Sequence, residues 1–167
     1  MSKDFDYKEF VNECYEGKKD QEIHNASEEN ALLLFSTLFD KAIRDKEDVK
    51  IISNQLLRRF YDQLTTRLQK VLENGNTVSV IVEKEIDDQV HNTFYQLHNT
   101  FYQQSKENLK IASNFDELPN FIVVGNNAFR YETDKNSTKA IANFNHKSMG
   151  MFVSNLFDKI DRDITLA

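Results

Sequence analysis

An α/β domain with a mixed β-sheet flanked by helices is the fold class this sequence predicts. Three observations predict it. Short β-branched runs at 49–53 and 77–82 alternate with longer stretches that carry apolar residues at helical spacing. The stretch between those two runs ends on Asn74-Gly75, a helix C-cap signal, so strand, helix and strand make a βαβ unit with a parallel pair. Further on, apolar runs at 121–124 and 128–133 flank Asn126-Asn127, a tight-turn signal that adds an antiparallel hairpin.

Taken in order, residues 5–15 place Phe10, Val11 and Cys14 at the spacing of a short amphipathic helix, and 16–26 are polar and read as a linker. Residues 1–26 are thus expected as an arm and linker, either a docking element or a helix that covers the core's edge, and 27–167 as the domain. Ser27 is a natural N-cap with Glu28 and Glu29 in the first turn of a helix. The stripe Ala31, Leu34, Phe35, Leu38, Phe39, Ala42, Ile43 follows. A second helix is expected over 55–73, with Leu57, Phe60, Tyr61, Leu64, Leu68, Val71 and Leu72 on one face.

A long helix is expected at about 86–111. It holds a tandem repeat, His91 to Leu97 followed by His98 to Gln104, with a period of seven residues, or two helical turns. Val90, Phe94, Leu97 and Phe101 recur at coiled-coil spacings, widened by Tyr95 and Tyr102. Two readings stay open: a helix that pairs with another chain through Phe94, Leu97, Phe101 and Tyr102, or a duplication that lengthened a core-facing helix. After a loop at 114–119 and the hairpin, 138–143 is expected as a short helical turn. The last helix starts near His146 and runs to about Ile160.

Composition bounds the function. The chain has 167 residues, a net charge of −6 and 40% hydrophobic residues, which suit one domain with a sizeable core. The acidic balance disfavours a non-specific nucleic-acid binder, which needs a basic face to displace counterions, although a local basic patch stays open. Cys14 is the single cysteine, so no intrachain disulfide forms. No Cys/His set has zinc spacing, and no cofactor or metal is expected; His91 and His98 share a helix face without thiol or carboxylate partners at ligand spacing. No apolar signal region and no membrane-length apolar run occurs, so a reducing cytoplasm is the expected compartment and no membrane partner is expected.

The polar residues that invite a site lie late in the chain. Arg130 and Glu132 are two apart on a strand and share a face. With Asn143, Asn145 and His146 they are the candidate ligand-binding set, Arg130 offering a bidentate grip on phosphate or carboxylate and His146 acid–base chemistry. The plainer reading is an Arg130–Glu132 pair satisfied within the sheet and a His146 that caps the last helix. Ser53 and Asn54 follow the first strand, where open α/β sheets bind ligands, but they also suit helix capping, which is the reading adopted.

The order of these pieces resembles a phospholipase D-like domain. "ALLLFSTLFDKAIRDKEDVKIIS" is similar to its opening helix and first strand, "LLRRFYDQLTTRLQKVLENGNTVSVIVEK" to its helix and second strand. "FIVVGNNAFRYE" resembles the strand bearing the His-x-Lys-x4-Asp signature with its hairpin partner, and "AIANFNHKSMGMFVSNLFDKI" the closing loop and helix. In that alignment Leu118 stands for the His, Asn120 for the Lys and Gly125 for the Asp.

The resemblance implies a single half-domain, a homodimer, and a degenerate site with no catalytic residue, since a hydrocarbon offers neither nucleophile nor proton. The acidic surface, the long repeat-bearing helix and the N-terminal arm suit a non-catalytic protein-interaction or regulatory protein with a protein partner, and the resemblance allows a place in prokaryotic defence or counter-defence. The alternative is a phosphate-ligand or nucleotide binder, or a residual phosphodiesterase or nuclease, anchored by Arg130.

Overall fold

The computed structural model describes residues 5–84, 92–97, 109–113, 117–134 and 136–166. Helix α1 (Tyr7–Glu16), strand β1 (Ile23–Asn25) and helix α2 (Glu28–Asp45) come first. Strand β2 (Val49–Ser53), helix α3 (Arg58–Tyr61), a 3-10 turn (Asp62–Leu64), helix α4 (Thr65–Glu73) and strand β3 (Val78–Val82) follow. A helical turn at 93–97, here α5, precedes strands β4 (Leu109–Ser113), β5 (Phe121–Val124), β6 (Ala128–Glu132) and β7 (Ala140–Asn143). Helix α6 (Lys147–Leu166) closes the fold.

The strands form one mixed sheet in the order β1-β7-β6-β5-β2-β3-β4. β2, β3 and β4 run parallel, while β5, β6, β7 and β1 join antiparallel. The α/β class with its mixed sheet, the parallel βαβ pair and the hairpin at Asn126-Asn127 are as the sequence predicts.

Alternation along the strands makes two cores. Val49, Ile51, Val80, Ile122, Val124 and Ala128 face α1, α2, α4 and α5, where Leu34, Leu38, Phe39, Leu68 and Phe94 pack. Ile52, Ile81, Phe121, Val123 and Phe129 face α6 and its Val153 and Phe157. Helix α2 sits on the first face because its apolar stripe is continuous. Ser27 caps it by accepting from the Asn30 N–H at 3.1 Å, and Lys46 ends it in the left-handed region at φ 52°.

Four local expectations change. Residues 16–26 are not a bare linker: β1 pairs with β7, Ile23 opposite Ala142, and Val11 and Cys14 of α1 are buried in the first core. The N-terminal helix therefore packs onto the first core. The helix expected over 55–73 divides at a 3-10 turn, where the Thr65 hydroxyl donates to the Asp62 carbonyl at 2.8 Å and competes with the helical ladder.

Residues 140–143 are a strand, since pairing with both β6 and β1 outweighs the helical preference of alanine. The long helix at 86–111 does not reach its expected end, because Leu109–Ser113 pairs in parallel with β3, Ile111 opposite Val80. Its 93–97 segment is helical, and Phe101, Tyr102 and the second copy of the repeat lie outside the described residues. Helix α6 itself runs on to Leu166.

Candidate functional site

β2 and β5 are antiparallel, as are β5 and β6, so the end of β2, the start of β5 and the end of β6 meet at one end of the sheet. Phe121 lies opposite both Ile52 and Tyr131 there. Helix α2 brings Glu28, Ala31 and Phe35 over this end, and the chain after β2 folds Phe60 and Tyr61 beside them. A cavity of about 230 Å³ results, lined also by Ser53, Asn54, Gln55, Asn120, Arg130, Glu132 and Thr138.

Arg130 lines this pocket, and at 2% exposure it is one of the most buried large side chains. Its Nε donates to Asn25 Oδ1 at 3.1 Å, its Nη1 to Glu132 Oε1 at 3.3 Å and its Nη2 to the Thr138 carbonyl at 3.0 Å. The guanidinium also lies 5.5 Å from the centre of the Phe35 ring. Burial pulls its pKa below the ordinary arginine value, and the Glu132 carboxylate opposes that shift. Burial likewise pushes Tyr61 up to about 12, against a hydrogen bond with Ser53 and the nearby Arg130 charge. Tyr7 of α1 is pushed up to about 12 mainly by burial, with Arg130 pulling the other way.

Asn120 donates through Nδ2 to Glu132 Oε2 at 3.0 Å. The carboxylate can only accept, so this bond fixes which amide atom is nitrogen. The Oδ1 atoms of Asn120 and Asn54 are buried without a hydrogen-bond partner. At the rim, Arg59 Nη2 meets Glu28 Oε2 at 3.1 Å, and Leu57 is 39% exposed. Ser53 Oγ donates to the Gln55 carbonyl at 2.9 Å. Neither Ser53 nor Asn54 caps α3, whose N-cap is Leu57, so the capping reading of that pair is corrected.

The five ligand-binding candidates do not meet in one place. Arg130 lies opposite Ala142 in the sheet and Phe129 opposite Asn143, so Arg130 and Asn143 point to opposite faces. Asn143 donates to Asp20 Oδ1 at 2.8 Å and accepts from the Asn145 N–H at 2.9 Å. Asn145 Oδ1 accepts from Asn127 Nδ2 at 3.1 Å, and its Nδ2 donates to the Lys18 carbonyl at 2.8 Å. His146 Nδ1 accepts from the Met149 N–H at 3.3 Å, the capping role the sequence offered. These three residues tie the N-terminal segment and α6 to the β5–β6 turn. Asn143 and His146 line a separate concavity, with Asp20, Glu22, Phe129, Ile141, Ser148 and Met149.

The three signature positions are also separated. Asn120 lines the Arg130 pocket, whereas Leu118 packs against the α6 core. Gly125 lies beyond the far end of β5, in the left-handed region at φ 57°. A Cβ there would stand 2.6 Å from Glu47 Oε2, a carboxylate that holds Lys41 Nζ at 2.6 Å. Of the interaction-helix candidates, Phe94 is fully buried with its ring 5.3 Å from Tyr61, and Leu97 packs on the same core. Phe94 therefore serves this chain's own interior.

Sequence reasoning missed Phe35, Phe60, Tyr61 and Gln55 as pocket residues. The signal for the first three was present but ambiguous, because an aromatic on a core-facing stripe has the same spacing whether or not its rim opens to a cavity. Among the described residues no helix is long and apolar enough to cross a membrane, and no group of His, Cys, Asp and Glu is arranged to hold a metal ion.

No family model and no curated protein matches this sequence. Solved structures do match in fold. The archaeal chromatin protein TrmBL2, described as showing a novel mode of DNA binding, superposes with a TM-score of 0.65 at 9% identity, over 93% of this chain and 60% of that one. Polyphosphate kinase from Porphyromonas gingivalis gives 0.59 at 15% identity, over 87% of this chain and 26% of that one. NucT from Helicobacter pylori gives 0.59 at 11% identity, over 83% of this chain and 94% of that one. The chain thus spans less than two thirds of the first two. At these identities the likeness is one of fold: this chain shares with these neighbours an α/β fold with a mixed sheet flanked by helices.

Proposed function

We propose that this chain is a non-catalytic protein-interaction or regulatory protein on a degenerate phospholipase D-like scaffold, acting as a homodimer in the cytoplasm. One observation carries the reading: the pocket's charged groups are already committed to one another. Arg130 is answered by Glu132, Asn120 is tied to the same carboxylate, and Arg59 is paired with Glu28. No His, Lys or Cys lines the pocket among the described residues. Ser53 Oγ donates its hydrogen bond to the Gln55 carbonyl at 2.9 Å, and Tyr61 holds its proton to about 12, so neither is an activated nucleophile near neutral pH. A phosphodiesterase of this fold needs a nucleophile, a proton donor and cations free to hold phosphate oxygens. The acidic surface suits protein contacts better than phosphate backbones. A place in a prokaryotic defence or counter-defence system rests on the resemblance alone.

The test combines three measurements on the purified chain. Bis(p-nitrophenyl) phosphate, phosphatidylcholine vesicles and single- and double-stranded DNA are offered as substrates, light scattering gives the mass in solution, and a tagged copy is used for affinity capture. The expected result is no turnover, twice the 19.6 kDa chain mass, and a stoichiometric protein partner. Hydrolysis that co-elutes with the protein and disappears in Asn120→Ala would overturn the reading. Recovery of nucleic acid in place of a protein would overturn its partner.

A further inference from the structure

We propose that the pocket at the carboxyl end of β2 binds an uncharged, planar small molecule whose edge carries both hydrogen-bond donors and acceptors, the chemistry of a nucleobase. This goes beyond the interaction role and does not depend on it.

Charge sets the first constraint. Two cations and two carboxylates line the cavity, and they pair as Arg130 with Glu132 and Arg59 with Glu28. A phosphate dianion entering there would meet both carboxylates while the buried guanidinium is already answered. A cation would meet Arg130 in a place where burial strengthens repulsion. A neutral ligand meets neither cost.

Size and shape set the second. At about 230 Å³ the cavity lies below the ~300–1,000 Å³ of drug-sized sites and fits a small ring system. Its walls include the rings of Phe35, Phe60, Tyr61 and Phe121. Phe35 meets Phe60 edge-on at 5.1 Å and Tyr61 at 5.9 Å, which holds these rings in fixed orientations.

Hydrogen bonding sets the third. Asn54 Oδ1 and Asn120 Oδ1 are acceptors without partners, and a buried unpaired acceptor costs about 1–3 kcal/mol. The Asn120 amide cannot flip to exchange this oxygen for a donor, since its nitrogen faces the Glu132 carboxylate. Arg130 makes one bond from each of its three nitrogens, so two of its roughly five N–H groups remain. Spare acceptors and spare donors around one aromatic-walled cavity match a ligand edge that both gives and takes hydrogen bonds. An amide-bearing heterocycle has that edge, and a phosphate or a carboxylate lacks the donors.

The experiment is isothermal titration of the full chain with adenosine, guanosine, cytidine and uridine, and separately with sodium phosphate. At least one nucleoside should bind more tightly than about 1 mM, with little dependence on salt, and phosphate should neither bind nor compete. Asn120→Ala and Asn54→Ala, each checked for an unchanged melting transition, should weaken that nucleoside up to about tenfold, the worth of one hydrogen bond. Phosphate binding that competes with the nucleoside would overturn the proposal. So would the failure of all four nucleosides, or binding indifferent to both asparagine variants. None of these outcomes bears on turnover or on the protein partner, so the failure of this site and of the interaction role are told apart.

Discussion

Asn120 and Glu132 are joined across β5 and β6, Nδ2 donating to Oε2 at 3.0 Å, and the other oxygen of the same carboxylate takes a hydrogen bond from Arg130 at 3.3 Å. One side chain therefore holds both Asn120 and the buried cation of the pocket. Removing it should cost more than a surface charge would. Glu132→Ala leaves a guanidinium at 2% exposure with only neutral acceptors, and breaking a buried pair in this way costs about 3 kcal/mol. Glu132→Gln keeps an acceptor for Arg130 and should cost less than half as much. Urea denaturation of the two variants checks both the size and the order. Equal, small effects would show that the carboxylate does not neutralise Arg130.

That pairing was half legible in the sequence. Arg130 and Glu132 are two apart on a strand, so period-two alternation places them on one face, and the hairpin signal at Asn126-Asn127 brings β5 beside them. What failed was the parity of the next segment. Reading 138–143 as a helical turn left Asn143 free to join the pocket, whereas a strand in register with β6 puts Ala142 on Arg130's side and Asn143 on the other. A short segment such as Ala140–Asn143 has too few residues for its period to show, and tertiary pairing decides.

Phe94 illustrates the same limit on a helix. Its place in the repeat fits a seam for a partner chain and a core-facing stripe equally well, and the structure packs it against Tyr61 with no exposed surface. Phe94→Ala should therefore act first on stability, lowering it by about 3–5 kcal/mol, the usual cost of emptying a buried aromatic site. Chemical denaturation followed beside light scattering distinguishes the two roles. A change of mass in solution with stability intact would return Phe94 to an interface.

Tyr61 gives a pH dependence with a definite sign. Burial raises its pKa from 10.0 to about 12 in the folded chain, so the folded state favours the neutral phenol. Below pH 10 the phenol is neutral in both states and its contribution is fully present. Between pH 10 and about 12 the unfolded chain releases the proton while the folded chain keeps it, so stability falls with rising pH. The slope from this group is about 1.4 kcal/mol per pH unit. Denaturation midpoints across that range should fall, and Tyr61→Phe should remove part of the fall. A variant with an unchanged slope would mean that Tyr61 ionises as a solvent-exposed tyrosine does.

Helix α6 packs so close to the β5–β6 turn that a side chain at Gly150 has no room. A Cβ there would stand 2.5 Å from Asn127 Cα and would also run into the Asn126 carbonyl oxygen, and both obstacles are backbone. Neither can swing aside as a side-chain tip does. Gly150→Ala should cost about 1–3 kcal/mol through overpacking, despite alanine's better helix propensity. A thermal melt settles the sign, because propensity alone would raise the midpoint and the clash would lower it.

Gly125 occupies a position where the fold does not readily accept an acidic side chain. The residue sits at φ 57°, where a side chain costs about 1–2 kcal/mol. Its Cβ would also collide with Glu47, at 2.6 Å from Oε2 and 2.7 Å from Cδ. Glu47 is not free to leave, because it and Asp45 hold Lys41, whose side chain is 4% exposed, at 2.6 and 3.2 Å. An aspartate at 125 would therefore face steric crowding and a like charge, and it would draw Lys41 away from its partners. Gly125→Asp should be destabilised more than Gly125→Ala. The excess should shrink when Glu47→Gln is added, since that substitution removes the repulsion and keeps the crowding. A double-mutant cycle by urea denaturation measures that coupling. If Gly125→Asp folds as stably as the parent chain, Glu47 does not occupy that space.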